Sequence, residues 1–572
     1  MASNDAAKRP LERWLASFED ALRKSDLKAV SALFADECYW RDLVAFTWNI
    51  RTCEGRDEIK AMLAATLGTV APAAFKLMGM DGEAAGWFSF ETGVGRGIGH
   101  LRLREGKAWT LLTTLQELKG FEEKRLTSHE INSSREKPPY VVIVGGGQGG
   151  IALAARLKRL GVPAVVLEKN ERAGDSWRKR YKSLVLHDPV WYDHLPYVPF
   201  PEHWPAFSPK DRIADFLEAY VKIMDLDYRS SAKVSNASFD EATQEWSISF
   251  LEGTEHQSLK SKHLVLATGM SGMPHLPRIP GDDFKGRMVH SSQYGGGAQW
   301  RGKQCVVVGA GTSAHDICED LHDIGAASVT MVQRAPSIVV RSKSLMELAW
   351  GPLYSEQALA NGISTEIADL TVASVPFKVL PTLQKPVYEQ IAKRDADLYE
   401  GLTRAGFQFD FGEDGSGIHA LYLRRGAGYY IEVGASQLIV DGRIKLKQGS
   451  VERVNERSIT LSDGAELPAD LVVFATGYGS MNGWAAQLIS QEVADKVGKV
   501  WGLGSATKSD PGPWVGELRN MWKPTQQPGL WFHGGNLMQS RHYSLYLALQ
   551  LKARMEGIPT PVFFIDAVHH KH

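Results

Sequence analysis

Tyr140-Val-Val-Ile-Val144-Gly-Gly-Gly-Gln148-Gly-Gly150 decides the fold of this chain. Its branched apolar run reads as a buried strand. The glycines after it let the backbone turn tightly and approach a phosphate that lies on the N-terminus of the next helix. The pattern recurs once, where Cys305-Val-Val-Val308 leads into Gly309-Ala-Gly311-Thr312-Ser313-Ala314. One such turn is weak evidence, because glycines also serve ordinary turns. Two, each with a strand before and a helix after, point to two dinucleotide sites in one chain and to hydride exchange between them.

The strand ends separate the two sites chemically. After the first turn come a helix over 151–160, Gly161 and a strand over 164–167 that ends in Glu168, 23 residues beyond Gly145. A carboxylate at this spacing accepts hydrogen bonds from a ribose 2′-hydroxyl, so the first site suits FAD or NAD. In the second unit the helix covers 313–323, and the strand 328–332 ends in Gln333-Arg334. A guanidinium grips a 2′-phosphate that a carboxylate would repel, so NADPH suits the second site, with NADH also open. Two further apolar strands end alike, in Ala267-Thr268-Gly269 and in Ala475-Thr476-Gly477. They read as crossings between the units. The expected α/β architecture is therefore two Rossmann-type dinucleotide-binding domains. The first is discontinuous over 140–280 and 470–572; the second covers 281–469 with a helical insertion around 342–434.

Residues 1–130 read as a separate, small α+β domain, followed by a linker at 131–139. Leu11, Trp14, Leu15, Phe18 and Leu22 recur at helical spacing, and the strand-like stretches that follow predict an antiparallel sheet. Phe34-Ala-Asp-Glu-Cys-Tyr-Trp40 and Gly55-Arg-Asp-Glu-Ile59 resemble the cone-shaped fold shared by nuclear transport factor 2 and ketosteroid isomerase. In such a unit Trp40 and Asp42 are candidates to line a pocket, while a docking or dimer surface, and with it a homodimer, is the commoner use.

Bulk properties remove several function classes. The 572 residues carry a net charge of -1, so no overall field recommends nucleic acid or an anionic membrane as partner. No apolar run reaches 18 residues and the start, Met1-Ala-Ser-Asn-Asp5, lacks a signal pattern, so the expected location is cytoplasmic, with no membrane span. Four cysteines occur and none forms Cys-x-x-Cys. This excludes the dithiol chemistry of disulfide reductases, which also carry two nucleotide folds, and a thiolate metal site.

Between the two turns lies Phe284-Lys-Gly286-Arg-Met-Val-His290-Ser-Ser-Gln-Tyr294, which resembles the signature of class B flavin-containing monooxygenases. Gly174-Asp-Ser-Trp177, Val332-Gln-Arg334-Ala-Pro336 and Phe474-Ala-Thr-Gly-Tyr478 agree with that family. The resemblance implies FAD on Gly145, Gly147, Gly150 and Glu168, with Trp177, Thr268, Gly269, Gly477, Gln539 and Arg541 on the flavin side. It implies NADPH on Gly309, Gly311, Thr312, Ser313, Gln333 and Arg334. It further implies O2 and a small-molecule substrate as partners, and transfer of one oxygen atom from a C4a-peroxyflavin. His187 stands where the family has an Asn, with Asp188 beside it, so both join His290 as candidate catalytic residues. The bland reading of His290 is a hydrogen-bonding residue that holds the connector. His187-Asp-Pro189, the extra amino-terminal unit and Gly534-Gly-Asn536-Leu-Met-Gln-Ser-Arg541-His-Tyr543 look most like the type II subgroup. That subgroup implies Baeyer–Villiger oxidation of ketones and relaxed use of NADH or NADPH; the expected reaction of this chain is such an oxidation, N- or S-oxygenation, or both. Oxidative decarboxylation of a 2-oxo acid, as in the auxin-forming relatives, is the alternative; a nucleotide-responsive flavoprotein with a binding role is another.

Overall fold

The computed structural model describes residues 2–125, 138–281, 283–508, 510–565 and 567–568. The expected linker lies outside the described residues except for 138–139. The chain opens with the helix Ala2–Arg23, whose Leu11, Trp14, Leu15, Phe18 and Leu22 are all buried. This helix and Gly55–Val70 cover one face of a six-stranded sheet. The strand order is Ile50–Glu54, Phe34–Leu43, Lys107–Leu118, Gly95–Arg104, Ala85–Glu91, Ala73–Met80. The sheet is mixed rather than antiparallel, because Phe34–Leu43 runs parallel to Lys107–Leu118. The four strands from Ala73 to Leu118 form a meander, and the number of its reversals brings the last one back beside the first strand in the same direction.

Aromatic rings fill the space between helices and sheet: Trp14, Phe18, Phe34, Trp40 and Phe46 form a chain of stacked and edge-on contacts. Trp40 and Asp42, the candidates to line a pocket, are fully buried and satisfied. Trp40 Nε1 donates to Thr113 Oγ1 at 2.8 Å. Asp42 accepts from Thr113 Oγ1, Thr47 Oγ1 and the amides of Phe46 and Thr47. Burial still pushes its pKa up to about 6, against the pull of those bonds.

Arg41 points out of the opposite face and welds this unit to the rest of the chain. Its Nε and Nη2 donate to the Glu517 carboxylate at 2.7 and 2.9 Å, Nη1 donates to Ala373 O at 2.8 Å, and Nη2 meets Tyr543 OH at 3.1 Å. Both partners are at most 2% exposed. Removing one partner of such a pair strands a buried charge. Arg41→Met is expected to cost about 3–5 kcal/mol in chemical denaturation, and pairing it with Glu517→Leu should recover most of that loss.

Two parallel five-stranded sheets form the core of the remainder, accompanied by two three-stranded antiparallel sheets. The first has the order Leu530–Phe532, His263–Leu266, Val141–Val144, Ala164–Leu167, Tyr228–Arg229. The second has the order Arg287–His290, Leu471–Phe474, Gln304–Val308, Ser328–Gln333, Ile444–Gln448. Leu471–Phe474 thus belongs to the second sheet, although it was expected to open the returning part of the first domain. Its apolar run and Ala-Thr-Gly ending match those after His263, so only its partner strands distinguish the two. Between the parallel pair Ile338–Arg341 and Tyr429–Glu432 lies a helical segment from Ser342 to Arg425. The long helix Leu537–Met555 packs along Gln148–Arg159.

Candidate active site

Each glycine turn caps a strand at its carboxyl end, where open parallel sheets bind ligands. Gly150 sits so close to the first turn that a Cβ there would lie 2.0 Å from Gly145 O. Gly145 itself has φ +108° and no room beside Ala267 O. Gly147 differs, since a Cβ would meet nothing nearer than Ser176 Oγ at 4.0 Å. It is the N-cap of Gln148–Arg159 and has no side-chain cap, so the amides of that first turn face open space. Glu168 is buried at the end of Ala164–Leu167, where it accepts from Gly146 N at 2.7 Å and from Asn170 N and Nδ2. Thr268 Oγ1 is buried with no partner, and Gly269 after it has φ +96°.

The second turn opens into a cleft of about 1310 Å³ whose walls come from both sheets and from the helical segment. Gly309, Gly311, Thr312, Ser313, Arg334 and Gly477 line it from the second unit; Trp177, His187 and Asp188 line it from the first. Thr312 Oγ1 donates to Tyr429 O at 2.8 Å, which leaves Ser313 and the helix N-terminus to face the cleft. Trp177 Nε1 is tied to Gln148 Oε1 at 3.3 Å. Arg334 is exposed and has no hydrogen bond or ion pair among the described residues. Withdrawal from water, and the nearby Arg334 charge after it, hold the Arg425 pKa below the usual value, with Asp410 and Glu413 partly offsetting them. Two neighbouring guanidinium groups, neither in a salt bridge among the described residues, suit a doubly charged anion.

Several candidates take other roles. Gln333 is fully buried, donating to Gln408 O at 2.7 Å and accepting from Gln408 N and Gln448 Nε2, so no polar atom is left for a nucleotide. Gln539 completes a capping box with Asn536 and accepts from Tyr422 OH at 2.8 Å. Arg541 grips both oxygens of Asp369 at 2.9 Å and donates to the carbonyls of Tyr192 and His194. Neither side chain forms part of the cleft wall, whereas Asn536 does. His290, set among the catalytic candidates, is fully buried. Its Nε2 donates to Gly477 O at 2.9 Å and its Nδ1 accepts from Ser292 Oγ at 2.9 Å. Burial holds its pKa below the usual value, so the ring is a neutral brace between Arg287–His290 and the end of Leu471–Phe474.

The imidazole of His187 does face an acid, but not its neighbour in sequence. Its Nε2 lies 4.0 Å from Asp316 Oδ1, on the helix that follows the second glycine turn. Tyr181 OH donates to the other oxygen of Asp316. Burial lowers the His187 pKa and Asp316 partly offsets this. Asp188 makes no hydrogen bond among the described residues, and removal from water pushes its pKa up to about 7. Asp316 and Arg425 carried no signal in the linear chain: one is an ordinary helix acid, the other half of an Arg424-Arg425 pair inside the insertion.

Residues 142–374 match the family model described as pyridine nucleotide-disulphide oxidoreductase. The chain is 32% identical over 365 residues to the indole-3-pyruvate monooxygenase YUCCA1 of Oryza sativa subsp. japonica, a match covering 63% of this chain and 82% of the relative. This chain belongs to the class B flavin-containing monooxygenase family. It is an oxidoreductase, and the four cysteines are all buried and free. The probable indole-3-pyruvate monooxygenase YUCCA10 of Arabidopsis thaliana is also 32% identical, over 59% of this chain and 82% of its own length. The same fold is present in OTEMO, solved in complex with FAD and NADP, at a TM-score of 0.51 and 18% identity over 74% of this chain and 86% of that one. Cyclohexanone monooxygenase bound to epsilon-caprolactone has a TM-score of 0.51 at 16% identity, over 73% and 88%. Among the described residues no helix is long and apolar enough to cross a membrane, and no cluster of His, Cys, Asp or Glu could hold a metal ion.

Proposed function

We propose that this chain is an FAD-containing, NADPH-dependent monooxygenase that inserts one atom of O2 next to the carbonyl group of a small organic substrate. One observation carries the reading: a single cleft brings the second glycine turn and the unpaired Arg334 into the same space as His187, Asp188 and Trp177. The residues fit both nucleotides. The open cradle at Gly147, the buried Thr268 Oγ1 without a partner and the Glu168 carboxylate suit FAD. Gly309, Gly311, Ser313 and the Arg334/Arg425 pair suit NADPH. Bound together, FAD and NADPH supply hydride transfer and the reduction of O2. The protein's own part is orientation, charge and exclusion of water. His290 fixes the strand that carries one wall, and Asn536 forms part of the wall with its Oδ1 capping Leu537–Met555 and its Nδ2 donating to Tyr192 OH at 3.0 Å.

Ketones give esters or lactones in such a reaction, and 2-oxo acids lose carbon dioxide. The second substrate class is favoured by Arg519 as well as by the names of the relatives. This cleft-lining arginine is bound through Nη2 to Asp510 at 2.7 Å, while its Nε and Nη1 have no partner among the described residues. Those donors would receive a carboxylate. Arg519→Gln is expected to raise KM for 2-oxo acids roughly tenfold, by the loss of a charged hydrogen bond, and to leave KM for neutral ketones unchanged.

The decisive experiment is oxygen uptake by the FAD-reconstituted protein with NADPH and a panel of ketones, 2-oxo acids, amines and sulfides, read by mass spectrometry. Coupled uptake with a carbonyl compound is the expected result. Oxygenated amines or sulfides alone would refute the carbonyl reading. A visible band that NADPH fails to bleach without oxygen would refute the whole proposal.

A further inference from the structure

Asp193 ends the one-turn helix Val190–Asp193, and none of the roles above uses it. It is 1% exposed, it forms part of the cleft wall, and among the described residues its Oδ1 has no hydrogen-bond partner. The cation facing it is Arg541 on Leu537–Met555, whose bonds go to Asp369 and to the carbonyls on either side of Asp193, not to Asp193 itself. The other titratable groups around it are Asp188, Tyr192 and His194 on its own segment and Asp369 on Thr365–Ala373. Tyr422 and Tyr429 face Asp188 across the cleft. A buried carboxyl without hydrogen bonds is more stable as the neutral acid. Burial first, and the Asp188 charge second, accordingly hold the Asp193 pKa well above the carboxylate range.

We propose that Asp193 is the internal acid of the cleft, delivering the proton that oxygen insertion takes up from water. The inference rests on the monooxygenase reading. Substrate, O2, reduced nicotinamide and one proton give oxygenated substrate, oxidised nicotinamide and water. The hydride carries two electrons and one of the hydrogens of that water. The other comes from the O–H bond of Asp193, which breaks as its proton joins the oxygen atom that leaves. The carboxylate so formed, itself part of the cleft wall, regains its proton from solvent that enters the cleft.

The test uses the FAD-reconstituted full chain and Asp193→Asn, which keeps the size and neutrality of the undissociated acid. Product turnover should fall roughly a hundredfold, in the range of a lost general acid, with FAD content unchanged. The acid form is the active one, so wild-type kcat should decline as pH rises past the titration of Asp193, and the variant should lack that decline. The wild-type-minus-variant infrared spectrum at neutral pH should contain a protonated-carboxyl C=O band, and Asp193→Glu should shift that band and restore part of the rate. An unchanged pH profile together with no such band overturns the role of Asp193 while leaving the enzyme reading intact. A wild type that NADPH does not reduce overturns both.

Discussion

Gly147→Val should purify as a folded but colourless protein that binds no FAD and oxidises no NADPH above background. The native site has open space around the missing side chain, so the backbone tolerates a Cβ, and the N-cap φ of -77° is ordinary for valine. What the branched side chain fills is the cradle in front of the unsatisfied first-turn amides of Gln148–Arg159, where a pyrophosphate has to lie. Gly150→Val is the informative contrast, because its Cβ would collide with Gly145 O and the fold itself should fail. Flavin absorbance and circular dichroism on the two variants separate the outcomes. A yellow Gly147→Val would remove FAD from the first turn.

The second large effect is on nicotinamide choice. Arg334→Ala should raise KM for NADPH by roughly 10- to 100-fold, the equivalent of about 1.5–3 kcal/mol for a charged hydrogen bond, and change KM for NADH by less than about twofold. Arg425→Ala should act in the same direction, and the double variant should lose less than the sum of the two, because both guanidinium groups meet one phosphate. Steady-state kinetics with the two nucleotides decides this. Equal losses for NADPH and NADH would place the nucleotide elsewhere.

The parts of this site that were legible in the sequence are those made by neighbours in the chain. A glycine turn, the strand before it and the acid or arginine ending the next strand lie within about 30 residues, and local sterics and charge dictate them. Gly145, Gly150, Glu168, Gly309 and Arg334 therefore stand at the turns and strand ends where the sequence put them. Side chains whose role depends on a distant partner were not legible. Gln333, Gln539 and Arg541 look like cofactor ligands in a motif, yet Gln333 is held by Gln408, the Gln539 side-chain oxygen by Tyr422 and the Arg541 guanidinium by Asp369. His187 was paired with the adjacent Asp188, but successive side chains diverge, and it faces Asp316 from the other nucleotide unit.

The linear chain by itself determined that two parallel sheets with glycine-rich turns would form, since strand hydrophobicity and glycine conformational freedom act over a few residues. It also determined which turn carries the acid and which the arginine. Only the tertiary structure decided which sheet receives Leu471–Phe474, that the amino-terminal unit is a filled scaffold clamped through Arg41 and Glu517, and that Asp193 is shut away without a partner. Those outcomes depend on desolvation and on contacts between residues hundreds of positions apart, and no local pattern encodes either.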